Sequence, residues 1–81
     1  MKGMMKTHPE PNDWVFWFDN IGMNAGRVVR IVTIQTVRNT DSVYYVMPMQ
    51  VYLTYSDEYC PDEELVEMTY QDIQNWRDGN K

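Results

Sequence analysis

Cysteine and histidine each occur once in these 81 residues, glycine and proline four times each, and no apolar run is long. The single Cys60 excludes an internal disulfide and a multi-cysteine zinc site, and it suits a reducing compartment. It stands beside Pro61 among acids, where negative charge opposes thiolate formation, so it reads as a partly buried small residue. With His8 the only histidine, Ser-His-Asp or Cys-His catalysis would have to run through it. His8 lies in MKGMMKTHPEP, a stretch without periodicity, where a base would not be held within reach of its proton. No enzyme is expected. No apolar run nears the ~20 residues that cross a bilayer, and the start lacks the apolar middle of a secretory signal. A soluble, cytoplasmic protein is expected.

Basic residues are also scarce: seven Lys and Arg face twelve Asp and Glu, for a net charge of -5. The layout is uneven, with +2 over residues 1–38 and -7 over residues 39–81. A negative second half repels phosphate backbones, so direct nucleic-acid binding is disfavoured and a basic partner, such as a nucleic-acid-binding protein, is the natural one.

Hydrophobic residues make up 43% and aromatics 14%, enough for one small folded domain. Residues 1–11 read as a flexible lead-in, 12–77 as the domain and 78–81 as a tail. WVFWF, residues 14–18, is a strand with bulky residues on both faces, so neither face can be left simply to water. Val15 and Trp17 are expected inward, and Trp14, Phe16 and Phe18 outward on a face that needs a cover.

The Asn, Asp and Gly of residues 19–26 form a turn. GRVVRIVTIQTVR, residues 26–38, is β-branched and reads as a long strand. Its apolar side changes between Val29/Ile31 and Val32/Ile34, as a bulged or sharply coiled strand requires. After a turn at 39–42, residues 42–55 read as two strand segments broken at Pro48, and ELVEM as a short closing strand. Thr69 as cap, Asp72 as reciprocal partner and a Met68–Ile73 staple predict a short helix over about residues 70–77, docked through Ile73 and Trp76. The expected fold is mainly β: a small, partly open barrel of about five strands with a short C-terminal helix.

Asn12-Asp13-Trp14-Val15-Phe16-Trp17, Gly26-Arg27-Val28-Val29-Arg30-Ile31, Tyr44-Tyr45-Val46, and Glu64-Leu65-Val66 running into Thr69-Tyr70-Gln71-Asp72-Ile73 together resemble small SH3-like barrel proteins of bacteriophages and their hosts. The resemblance covers about residues 12–76. Asn12 stands where those proteins carry Gly, and the loop from Ser56 to Glu64 is more acidic than theirs. It implies an SH3-like fold and a binding role, and brings no catalytic residue.

Two groups of side chains are candidates for binding. Asp57, Glu58, Asp62, Glu63, Glu64 and Glu67 place six carboxylates in eleven residues with no Lys or Arg among them. They match no EF-hand spacing, and no metal or cofactor is expected. A solvated loop and a docking surface for a basic protein both fit, the second acting as an acidic decoy that inhibits a host nucleic-acid enzyme or defence complex. Trp14, Phe16, Phe18, Tyr55 and Tyr59 are the candidates for an aromatic contact patch beside that loop. Core filling by the aromatics is the plainer reading, and a cage for methylated lysine built from Trp14, Trp17, Tyr44, Tyr45, Tyr52, Tyr55 and Tyr59 is a further one. A homodimer through the outer face of the first strand is the alternative to a protein-binding module.

Overall fold

The computed structural model describes residues 7–55 and 60–79. Five strands, β1 (Trp14–Phe18), β2 (Met23–Gln35), β3 (Thr40–Pro48), β4 (Val66–Thr69) and β5 (Asn75–Arg77), form one antiparallel sheet in the order β4-β3-β2-β1-β5. The sheet is not closed, since β4 and β5 stand at its two edges. A six-residue helix α1 (Met49–Thr54) follows β3, and 3₁₀ turns occupy Asp62–Glu64 and Tyr70–Asp72.

β1 and β2 are joined by a tighter turn than the composition of residues 19–26 suggests. The Asp19 N–H donates to the Gly22 carbonyl at 2.9 Å. Its carboxylate accepts from the N–H groups of Ile21 (2.8 Å) and Gly22 (3.0 Å) and from the Asn24 amide (2.6 Å). The Gly22 N–H above all, then that of Ile21 and the Asn24 amide, hold the Asp19 carboxyl below its ordinary value. β2 therefore begins at Met23, and its following turn sits at 36–39, closed by Thr36 N–H to the Asn39 carbonyl at 2.7 Å.

β2 does carry a β-bulge, placed at Val29 before the expected change of side, while Val32 and Ile34 stay exposed. Val28 pairs with Val46 and Arg30 with Tyr45, leaving Val29 as the extra residue. Because of it, Val28 and Ile31, three apart, both face the core. That core is Val15, Trp17, Val28, Tyr44, Val46 and Met68, with Ile31, Val66, Ile73 and Trp76 packed against it. Val15 and Trp17 do point inward.

Two expected elements differ. In place of a second strand segment over residues 49–55 the chain forms α1, lying on β2 and β3. Alternating Val, Tyr and Leu read as a strand, but Pro48 ends the ladder because it has no N–H. Met49, Gln50 and Leu53 are good helix formers, and the outer side of the sheet needed a cover. The C-terminal helix over 70–77 is absent: the 3₁₀ turn Tyr70–Asp72 runs into β5. Asp72 does accept from the Thr69 N–H (3.0 Å) and hydroxyl (3.2 Å), but these bonds close a single turn. An isolated eight-residue helix is marginal. Pairing with the free edge of β1 wins instead, with Gln74 N–H donating to the Phe16 carbonyl at 2.7 Å and Val15 opposite Trp76. Ile73 and Trp76 still dock on the core, as turn and strand residues.

The two ends of the described chain meet at Asp13, which is fully buried. Its carboxylate accepts from the Glu10 N–H at 2.9 Å and from the Gly79 N–H at 3.2 Å. The backbone on either side bonds β2, Asn12 N–H to the Val28 carbonyl and Val28 N–H to the Asp13 carbonyl. Further back, the Tyr70 hydroxyl donates to the Thr7 carbonyl at 3.3 Å and the His8 ring lies 4.4 Å from that of Tyr70. Among the described residues no helix is long and apolar enough to cross a membrane.

Candidate functional site

Directly paired residues share a face, so the register sorts the outer side of the sheet into rows. The first row is Met47, Arg27, Trp14 and Arg77 across β3, β2, β1 and β5. α1 covers its middle, while Arg77 at its end stays exposed: Tyr52 meets Trp14 edge to face at 6.0 Å, and the Arg27 guanidinium lies 5.4 Å from the Tyr52 ring. Met47 is buried. Part of the β1 outer face is thus covered by this chain itself, with no second protein.

Beyond that row toward the β1–β2 turn the cover runs out. Phe16, opposite Ala25 and Asn75, is half-buried and floors two adjoining hollows. One is bounded by Met23 and β5, the other by Met23, Met49 and Leu53. Phe18, opposite Met23, is 59% exposed, and Leu53 is 78% exposed. Met23 and Met49 are exposed as well, so Phe16, Phe18, Met23, Met49 and Leu53 form one apolar surface. Trp14 belongs to the covered row rather than to this surface. Tyr55 ends α1, its N–H bonded to the Val51 carbonyl at 2.8 Å, and Tyr59 lies outside the described residues. Sequence reasoning missed Met23, Met49 and Leu53, because strand periodicity assigns residues 49–55 no place over β1.

On the opposite side of the α1-covered row lies the acidic group. Glu67, Tyr45 and Arg30 form the next row across β4, β3 and β2. The Tyr45 hydroxyl approaches the Glu67 carboxylate at 3.4 Å, and the Arg30 guanidinium lies 4.5 Å from the Tyr45 ring and 3.5 Å from the Asp62 carboxylate. At this exposure the ion pair adds little stability, yet it brings a cation into a cluster that has none in the local sequence. Asp62, Glu63 and Glu64 form one exposed 3₁₀ turn, and Asp57 and Glu58 lie outside the described residues. The apolar surface and the acidic turn share the outer side of the sheet but are separated by α1 and the Trp14 row.

Cys60 borders the acidic turn, its thiol 3.6 Å from the Pro61 carbonyl. Burial, then the charges of Glu64 and Asp62, push the thiol up from its ordinary value. The thiolate is the reactive form, so at neutral pH Cys60 should alkylate several-fold more slowly than glutathione. Asp62→Asn with Glu64→Gln should speed it, as measured by iodoacetamide labelling followed by mass spectrometry. Equal rates in both proteins would mean that the two carboxylates do not govern the thiol.

Among the described residues no three or more His, Cys, Asp or Glu side chains converge as a metal site requires. No family model, curated protein or solved structure matches this chain.

Proposed function

We propose that the chain is a non-catalytic protein-binding module on an SH3-like, partly open barrel. The fold reading is supported by the long bulged β2, by β1 pairing with both β2 and β5, and by a 3₁₀ turn between β4 and β5. The observation that carries the function is the apolar surface of Phe18, Met23, Met49 and Leu53 around the Phe16 floor, left exposed after α1 has covered the Trp14 row. Aromatic and aliphatic anchors of this kind, with Arg77 at the rim, have the composition of a binding hot spot.

The occupant we assign is a basic, nucleic-acid-handling protein, because the chain carries a net charge of -5 and presents Asp62, Glu63 and Glu64 on one exposed turn. An inhibitor encoded by a phage or mobile element, acting on a host nucleic-acid enzyme or defence complex, fits that pairing of surfaces. The apolar surface supplies affinity and the turn steers the encounter.

The test is affinity capture from a bacterial lysate with three baits: the native chain, Leu53→Glu with Phe18→Ser, and a triple Lys replacement of Asp62, Glu63 and Glu64. The first variant should weaken capture of a basic protein by about 30-fold, or ~2 kcal/mol, through faster dissociation. The triple replacement should slow association and remove its salt dependence. Identical capture by all three baits would end this reading.

A further inference from the structure

β2 is longer than the strand beside it. β1 pairs with residues 23–27 of β2, and Asp13 with Val28, whereas β3 pairs with β2 as far as Gln35. Among the described residues, nothing pairs with residues 30–35 on their β1 side, so this stretch is an internal sheet edge with a row of unshared backbone groups. Such an edge accepts one kind of occupant, an extended strand.

Proteins blunt edges with charge, proline or a bulge. Residues 31–37, Ile-Val-Thr-Ile-Gln-Thr-Val, contain no charge, no Pro and no Gly, and six of the seven are Ile, Val or Thr. The blunting devices stand at the two ends instead, as the Val29 bulge with Arg30 on one side and Arg38 on the other. Val32 and Ile34 are exposed on the outer face, Ile34 to 48%.

We infer that this edge pairs with the same edge of a second copy of the chain, antiparallel and with Thr33 on the two-fold axis. The register follows from what each alternative would oppose. Centred on Ile34, Arg30 would face Arg38 of the other copy; centred on Val32, Arg30 would face Ile34. Centred on Thr33, Val32 faces Ile34 twice, Ile31 faces Gln35 twice, Thr33 faces Thr33, and Arg30 faces Thr36. Apolar pairs and Thr–Thr pairs are favoured cross-strand neighbours, and like charges opposite each other are not. The acidic groups of both copies stay off the ladder, so the net charge of -5 puts no carboxylate opposite another. Two-fold pairing uses the same edge of both copies, so this contact joins two chains and no more, instead of propagating along a fibre. This surface is distinct from the apolar one around Phe16, so either assignment can fail alone.

Sedimentation equilibrium of the native chain from about 1 μM to about 1 mM tests it, the span over which an interface this small is measurable. A monomer–dimer equilibrium is expected, weakened at least ~10-fold by Ile34→Lys, which sets a charge on the edge. In a Cys60→Ser background, oxidation of Thr33→Cys should give a disulfide-linked dimer, and oxidation of Gln35→Cys, which lies opposite residue 31, should not. This link reports the register even where Ile34→Lys disturbs folding. A chain monomeric throughout the range overturns the inference. So does a dimer that keeps its affinity in Ile34→Lys, or one that links through position 35 and not 33; loss of the dimer in Leu53→Glu alone would move association to the apolar surface.

Discussion

Replacing Asp13 by alanine is expected to lower the thermal midpoint by about 15 °C. The carboxylate is fully buried and accepts from the Glu10 and Gly79 N–H groups, one on each side of the domain's two ends. Hydrogen bonds to a charged group contribute roughly 1.5–3 kcal/mol each, and the loss of the pair is set at about 3 kcal/mol because the chain ends can recover some water. In a domain of this size, each kcal/mol moves the midpoint by about 4–8 °C. Asp13→Asn keeps the shape and one acceptor but turns an amide toward a donor, so it should lie between the native chain and the alanine variant. Thermal denaturation followed by circular dichroism measures both, and hydrogen exchange should show the Gly79 amide losing protection first. A loss below about 1 kcal/mol in Asp13→Ala would mean that the two ends are held by other contacts.

Gly26→Ala should also be strongly destabilising, although it adds one methyl. Gly26 lies between Val15 of β1 and Pro48 of β3. A Cβ there would meet Val46 Cγ1 at 2.6 Å and the Met47 carbonyl oxygen at 2.7 Å. The second obstacle is backbone and cannot rotate away, so β3 must shift against β2; overpacking of this kind costs about 1–3 kcal/mol. Val46→Ala removes the first obstacle only. The double variant should therefore lose less stability than the two single losses added together, measured by urea denaturation, and simple additivity would show that the contact with Val46 is not the cause.

Several features of the fold could be read in advance because they rest on local pattern. The mixed parity of the apolar residues in β2 announced a bulge, though not its place at Val29, and alternation put Val15 and Trp17 on one side of β1 without bulk alone saying which side was core. Thr69 and Asp72 announced a capped turn. They could not announce its length, since the same bonds close one 3₁₀ turn or start a helix, and what decided was the unpaired edge of β1, more than fifty residues earlier. The stretch MQVYLT failed for the same reason: its alternation is real, but its conformation answers to the exposed Trp14 row. Of the candidate site, the exposure of Phe18 was legible. Its neighbours Met23 and Leu53 were not, and neither was the approach of Arg30 to Asp62, because these contacts join segments far apart in the chain.

The pairing of β5 with β1 has a kinetic consequence. The β1–β2 and β2–β3 hairpins close loops of a few residues, which is rapid, whereas joining Asn75–Arg77 to Trp14–Phe16 closes a loop of about sixty, at an added entropic cost that grows with the logarithm of length. During synthesis, β1 must wait until residues 75–77 have been made before its outer edge finds a partner. Through that interval β1 and the far half of β2 are both open edges, and the order in which they are covered bears on whether the chain folds alone or meets a neighbour first.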